Sequence, residues 1–300
     1  MNKIRKLEKW GVKWLDCVNL DTDKKKDILK NYNFHELDVE SCLEENQFTK
    51  VNKNKDYIFI ILDFPKYISN RWIYVKNEFN IFLWKNFILT FRDYHSSHVD
   101  KIFNMYKNMI LEEDKINPGY ILYKVIEVML EKAYNVIHKQ RQDLSNLENI
   151  IFDSSTTYEV KHILIKKRNI ILLKHIFQPQ TFILRQLENA LNLFFKWEYE
   201  LYFEDLQDKI DFIVHKISIL HERIENIEDA FRNIVDIKLN RLIAILTIFS
   251  AFMLPLTLIT SFYGMNISLP FQNKPEVVYG LLIFSSISMI AIIWYFIKKR

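Results

Sequence analysis

The feature that most limits what this chain can become is a long absence of charge. From Leu242 to Asn273 no residue is charged, and Leu242 to Phe262 is almost wholly apolar. At about 1.5 Å per residue a helix of that length covers the roughly 30 Å of a bilayer's hydrocarbon. Val277 to Ile297 is a second such run. Uncharged stretches this long seldom occur in soluble cores, so two spanning helices are expected rather than two buried ones. Lys238 and Arg241 precede the first run and Lys298, Lys299 and Arg300 follow the second, whereas the connecting loop holds only Lys274 and Glu276. The bias of Lys and Arg toward the cytoplasmic side then puts both ends of the pair inside, in the inner (plasma) membrane with lipid as a partner. Tyr263, Tyr279, Trp294 and Tyr295 fall near the boundaries, as interfacial aromatics do.

Composition narrows the remainder. Residues 242 to 300 hold one acid and four bases, which leaves 36 acids and 37 bases in the first 241. The net charge of +4 therefore lies mostly in the flanks of the apolar runs, and no nucleic-acid partner is expected. Hydrophobic residues make up 49%, with only 4 Gly and 6 Pro, which excludes a disordered or glycine-rich chain. Cys17 and Cys42 are the only cysteines and form no CxxC pair, against a zinc module or a disulfide scaffold and in favour of a reducing compartment. Met1 to Trp14 carries charges every few residues and lacks the apolar core of a secretory signal, so the hydrophilic part is expected in the cytoplasm. No glycine-rich phosphate loop or Ser/His/Asp set supports an enzyme. Asp93, His95 and His98 lie close together, yet loop histidines without a further ligand are usually solvated.

Trp10 to Leu20, Tyr57 to Phe64, Trp72 to Val75 and Ile81 to Phe91 read as strands, being rich in β-branched and aromatic residues. Asn117-Pro118-Gly119 is the clearest break, and after it Tyr120 to Asp153 and Val160 to Tyr199 have helical periodicity. The expected organisation is a cytoplasmic α/β domain (1–118), cytoplasmic helices (119–201), a stalk helix continuing into the first span (202–262), an external loop (263–276), the second span (277–297) and a basic tail (298–300). The fold class is an α+β cytoplasmic domain with a long stalk helix and two C-terminal membrane helices.

Leu206, Ile210, Ile213, Ile217, Leu220, Ile224, Ile227, Phe231 and Ile234 recur at alternating steps of four and three, a heptad seam sustained for about four repeats. No Gly or Pro interrupts the chain from Phe203 to Pro255, so stalk and first span can form one helix of about 90 Å. In the span the same rhythm picks out Asn240, Ile243, Thr247, Ser250, Leu254, Thr257 and Ser261. Four of the five hydroxyl residues between Leu242 and Phe262 fall on this line. A polar stripe interrupted by Ile243 and Leu254 suits a water-filled pore with hydrophobic constrictions, if several copies surround an axis. It equally suits close helix packing through small hydroxyl residues. Pro255 is tolerable because a hydroxyl or a neighbour can meet the carbonyl that it leaves unpaired.

Tyr263-Gly264-Met265-Asn266 follows the stripe. Gly264 can adopt backbone angles closed to other residues and so end the helix, exposing main-chain carbonyls, and Asn266 adds a neutral amide oxygen. Magnesium is small, prefers oxygen and gives up water reluctantly, so a ring of such oxygens suits the hydrated ion. Here the sequence resembles the CorA-type magnesium transporter family, with its Gly-Met-Asn motif between two C-terminal membrane helices. The likeness extends through Asn240, Leu246-Thr247, Pro255-Leu256-Thr257 and the stretch Tyr202-Phe203-Glu204-Asp205-Leu206-Gln207-Asp208, which looks like the family's YFRDVxDH. The resemblance implies a homopentameric channel with a stalk funnel under the pore. It implies an outer selectivity site at Gly264, Met265 and Asn266, a polar pore ring at Asn240, and a hydrophobic gate at Ile243, Leu246 and Leu254. It also implies that Asp205, with Asp208 nearby, binds regulatory magnesium between subunits. Glu204 stands where the family usually has Arg, and Pro270 to Glu276 lacks a clean MPEL tetrapeptide. The expected function is potential-driven Mg2+ influx shut off by cytoplasmic Mg2+. Transport of Co2+, Ni2+ or Zn2+ by the same fold, and a non-conducting membrane-tethered coiled-coil adaptor, are the alternatives.

Overall fold

A computed structural model of the chain describes residues 3–44, 47–109, 117–153, 157–195, 200–266, 269–271 and 274–298. The chain divides into two compact units, Met1–Glu228 and Asp229–Arg300.

In the first unit six strands form one sheet: β1 (Lys3–Lys9), β2 (Val12–Val18), β3 (Lys50–Lys53), β4 (Ile58–Ile68), β5 (Ile73–Leu83) and β6 (Phe87–Arg92). Their order is β1-β2-β6-β5-β4-β3. β2 and β6 pair in parallel and the other neighbours antiparallel. A parallel pair needs a long crossover, and this one contains α1 (Thr22–Leu29), α2 (Glu36–Leu43) and β3 to β5. Leu29 of α1 and Cys42 of α2 share a buried cluster with Tyr57, Phe59, Ile61, Phe82, Leu89 and Phe91. Three further helices follow: α3 (Ser97–Asn108), α4 (Pro118–Asp153) and α5 (Thr157–Phe195). α5 packs on β3, β4 and β5, and α4 reaches β2 and β4. Ile58 to Pro65 are all buried, as befits a strand covered on both faces, and such a strand reads as an unbroken apolar run.

Several boundaries differ from the sequence reading. The strand expected over Trp10 to Leu20 is a hairpin arm: Trp10 and Gly11 take positive φ values of 47° and 72° and turn the chain from β1, which was not expected, into β2. Trp72, read as the start of a strand, is likewise a turn residue with φ 60°. The segment Ile81 to Phe91 is two strands, the end of β5 and β6, closed by a hydrogen bond of 2.8 Å from Trp84 N to Phe87 O. In all three a strand is joined to its turn, because the turns here carry aromatic residues, Trp10, Trp72 and Trp84, that read as strand formers.

α6 (Glu200–Tyr263) runs without a break through Pro255. Within the first unit its seam residues from Leu206 to Ile227 are buried against the same chain. Tyr123 of α4 meets Tyr202 and Phe203 with ring centroids at 4.9 and 6.4 Å, Arg223 Nε donates to Glu148 Oε1 at 2.8 Å, and Lys167 pairs with Glu228 at 2.7 Å. The seam is therefore filled by α4 and α5 and is not free for a coiled-coil partner over that length. Phe231 and Ile234 are only half-buried.

The second unit holds the rest of α6 and α7 (Pro275–Lys298). Both helices are long and apolar enough to cross a membrane, and none of their most apolar stretch is buried within the chain. Helices that are apolar all round and unburied in their own chain call for lipid or further copies. Lys298 Nζ lies 4.9 Å from the Trp294 ring centroid, a cation–π contact at the helix end. Gln272, Asn273, Lys299 and Arg300, used above for charge and loop arguments, lie outside the described residues.

Candidate functional site

In the second unit the stripe is carried by helix geometry. A strict three-four repeat drifts by only about 20° per heptad on an α-helix, so Asn240, Ile243, Thr247, Ser250, Leu254, Thr257 and Ser261 share one face. All are exposed in the single chain, as is Leu246 beside them. Thr247 Oγ1 donates to Ile243 O at 2.8 Å and Thr257 Oγ1 to Met253 O at 2.9 Å. Each hydroxyl proton is thus spent on the helix's own carbonyl, and what a threonine turns outward is an acceptor lone pair. That is the polarity that the waters of a hydrated cation require.

α6 ends at Tyr263, and Gly264 N donates to Thr260 O at 2.9 Å. The reason for glycine here is not the one read from the sequence. Gly264 does not take a left-handed φ; instead a Cβ would stand 3.0 Å from Thr260 O, tighter than most real Cβ contacts, so the backbone there would have to give by a few tenths of an ångström. Met265 N bonds to Phe262 O at 3.4 Å, and Gly264, Met265 and Asn266 are all exposed. The helix terminus thus presents carbonyls and the Asn266 amide without a carboxylate among these residues.

In the first unit Asp205 and Asp208 lie on the exposed face of α6, opposite the buried Phe203, Leu206 and Ile210. Asp205 Oδ2 accepts from Lys209 Nζ at 2.6 Å, one turn along the helix. The same ammonium reaches Glu127 Oε1 of α4 at 3.3 Å. Glu127 also accepts from Tyr123 OH at 2.7 Å and from Lys124 Nζ at 2.8 Å. Burial works against the charge of Glu127, but Lys124, Tyr123 and Lys209 outweigh it and hold its carboxyl below the usual range. Glu204 extends an acidic face, since burial first, then Glu200 and Glu204, push the carboxyl of Glu188 up. Sequence reasoning found Asp205 but missed Lys209 and Glu127, because the latter comes from a helix 82 positions away.

The histidine group is only partly the solvated loop cluster that the sequence suggested: His95 is exposed ahead of α3, whereas His98 is half-buried within that helix. His95 pairs with Asp100, Asp93 faces Lys25 at 3.7 Å, and burial, before Lys132 and Lys101, lowers the pKa of His98. Among the described residues of one chain, no three His, Cys, Asp or Glu side chains are placed to hold a metal. Cys17 and Cys42 are free and buried; burial above all pushes the Cys17 thiol up to about 12 and that of Cys42 higher still. Asp16 is fully buried, and although burial opposes its charge, Arg92 and Arg5 hold its carboxyl below the usual range; Arg92 Nη2 donates to it at 2.8 Å.

An α/β domain, a helix of 64 residues whose C-terminal part is apolar, and a second apolar helix after it give the chain two candidate membrane spans at its C-terminal end. The chain belongs to the CorA-like Mg2+ transporter family, whose model matches residues 10–300. It is similar to the cobalt/magnesium transport protein CorA of Thermotoga maritima, 24% identical over 96% of this chain and 82% of that protein. It also resembles the magnesium transport protein CorA of Helicobacter pylori strain J99, at 25% identity over 98% and 92% of the two chains. Among solved structures, the complete CorA magnesium transporter from Methanocaldococcus jannaschii superposes with a TM-score of 0.80 at 20% identity, covering 95% of this chain and 91% of that one. The full-length CmaX protein gives 0.73 at 14% identity over 96% and 88%. At these identities the structures attest the fold. The sequence relatives are transporters, not enzymes.

Proposed function

We propose that copies of this chain assemble, as a homopentamer, into a channel that admits Mg2+ to the cytoplasm. The observation that carries this reading is the one-sided line of acceptors on α6 that leads to Gly264, Met265 and Asn266 at its end. Around an axis, Thr247, Ser250, Thr257 and Ser261 offer lone pairs to the hydration shell, while Ile243, Leu246 and Leu254 form dry constrictions between the polar rings of Asn240 and Asn266. A neutral oxygen ring at the mouth holds a hydrated divalent ion without trapping it, which a carboxylate ring would do more readily. An inside-negative potential favours entry of a divalent ion by about 4.6 kcal/mol per 100 mV, twice the single-charge figure, so no ATP is required. Cobalt is the second cargo to test, because relatives carry it in their names beside magnesium; Ni2+ and Zn2+ follow on the same chemistry. Asp205, with Asp208 near it, serves as a cytoplasmic sensor in which a divalent ion shared between copies favours the closed arrangement. The side chains present fit this role, since Asp205 is half-exposed and already binds a cation, its own Lys209.

Asn266→Ala tests the reading. Mg2+ uptake should fall at least about tenfold, the cost of roughly 1.4 kcal/mol lost from a selective site, with assembly unchanged by size-exclusion chromatography. Uptake at the wild-type rate would remove Asn266 from the selectivity site.

A further inference from the structure

Lys209 has no part in the conduction path, yet it stands between the sensor residue Asp205 and Glu127 of α4. Its Nζ lies 2.6 Å from Asp205 Oδ2 and 3.3 Å from Glu127 Oε1. The two contacts differ in kind. Glu127 is satisfied without it, through Tyr123 OH and Lys124 Nζ. Its side chain is only 16% exposed, against 47% for Asp205. A cation arriving from solvent therefore meets Asp205 first, and the ammonium it displaces has a second carboxylate already within reach.

We infer that Lys209 is a built-in counter-ion of the Asp205 site, which a divalent cation must displace and which thereby sets the concentration at which the site fills. The inference rests on the reading of Asp205 as a sensor residue and adds to it what fixes the threshold. With the ion absent, the ammonium screens Asp205 from the acids around it, so the site is not an open anionic trap. When a divalent ion binds, the ammonium keeps its Glu127 contact. An exposed pair one helical turn apart holds only a factor of about two in equilibrium, so displacement is within reach of a doubly charged ion. The displaced charge stays tethered close by and weakens the ion's hold. Removing that charge should tighten binding more than the loss of the pair alone would suggest.

The test uses the full chain in detergent, titrated with MgCl2 at constant ionic strength and read by protection of the chain from limited proteolysis, a readout independent of flux. Lys209→Gln should lower the Mg2+ concentration for half-protection at least about threefold. Lys209→Arg, which keeps the charge, should stay within about twofold of wild type. Asp205→Asn should raise the midpoint. A midpoint unchanged or raised in Lys209→Gln, with Asp205→Asn still shifted upward, would overturn the counter-ion and leave the sensor standing. If Asp205→Asn leaves protection at its wild-type midpoint, the sensor reading fails and the inference falls with it. Lys209→Met, which keeps the side chain's apolar stem, guards against a fold defect and should match Lys209→Gln.

Discussion

At the residue scale, Asp63 shows how a single side chain can work against the fold that contains it. It sits in β4 at 4% exposure, with Oδ2 at 3.1 Å from Lys76 and Oδ1 without a partner among the described residues. Burial pushes its carboxyl up to about 7, against the pull of Lys76. Because the native state then binds the proton more tightly than the unfolded chain, whose value is near 3.8, Asp63 favours the native state fully below that lower value. The contribution is lost as the pH rises from about 4 through about 7. Asp63→Asn should therefore raise the melting midpoint relative to wild type at pH 8, by on the order of 1–3 kcal/mol of stability, and the advantage should shrink toward pH 5. A difference between the two proteins that does not vary from pH 5 to 8 would refute the assignment. Nothing in the sequence sets Asp63 apart, since it reads as one polar position in an apolar run. The polar stripe of α6 was legible for the opposite reason: periodicity alone places its residues on one helix face. Lys209 and Glu127 were not, because their meeting is a product of α4 packing on α6.

At the element scale the long helices and β4 were readable, whereas β5, 11 residues long, was split into Trp72 to Val75 and the start of Ile81 to Phe91 because the polar run Lys76 to Glu78 and Asn80 interrupts it, and the shortest elements were missed. β4, α4, α5 and α6 announce themselves through unbroken apolar runs or sustained helical spacing. β1 is an edge strand of alternating charge, KIRKLEK, and β3 is four residues long; edge strands are kept short and charged to avoid pairing with other chains, which erases the strand signal. α1 and α2 have eight residues each, too few for periodicity to stand out, and their helical state comes from packing on the sheet. Gly264 does follow the end of α6, but without the backbone angle for which the sequence singled it out. The seam of α6 gives the clearest quantitative expectation. Ile217 is 1% exposed and Ile219, two residues on, 44%. Ile217→Ala should cost about 2–5 kcal/mol in unfolding experiments, whereas Ile219→Ala should stay within about 0.5 kcal/mol. Equal effects would mean that the seam is not what holds α6 to α4 and α5.

At the scale of the whole molecule, the charge boundary read from the sequence, between residues 241 and 242, lies inside the second unit, which begins at Asp229 and takes in the last charged turns of α6. The charged first unit buries its own core, Asp16 and Arg92 included, while the second exposes apolar side chains along two helices. A unit with so little buried in its own chain leaves its apolar surface for a membrane or for further copies to cover, and the proposed function depends on both. The central claim is that this chain alone conducts Mg2+ down its electrochemical gradient. It is tested most directly by reconstituting the purified protein as the sole protein in liposomes loaded with a Mg2+ indicator, and imposing a K+ diffusion potential. Uptake should need no nucleotide, grow as the interior is made more negative, and be lost in Asn266→Ala. Liposomes that contain correctly folded, membrane-inserted protein yet take up Mg2+ no faster than empty ones at any potential would contradict that claim.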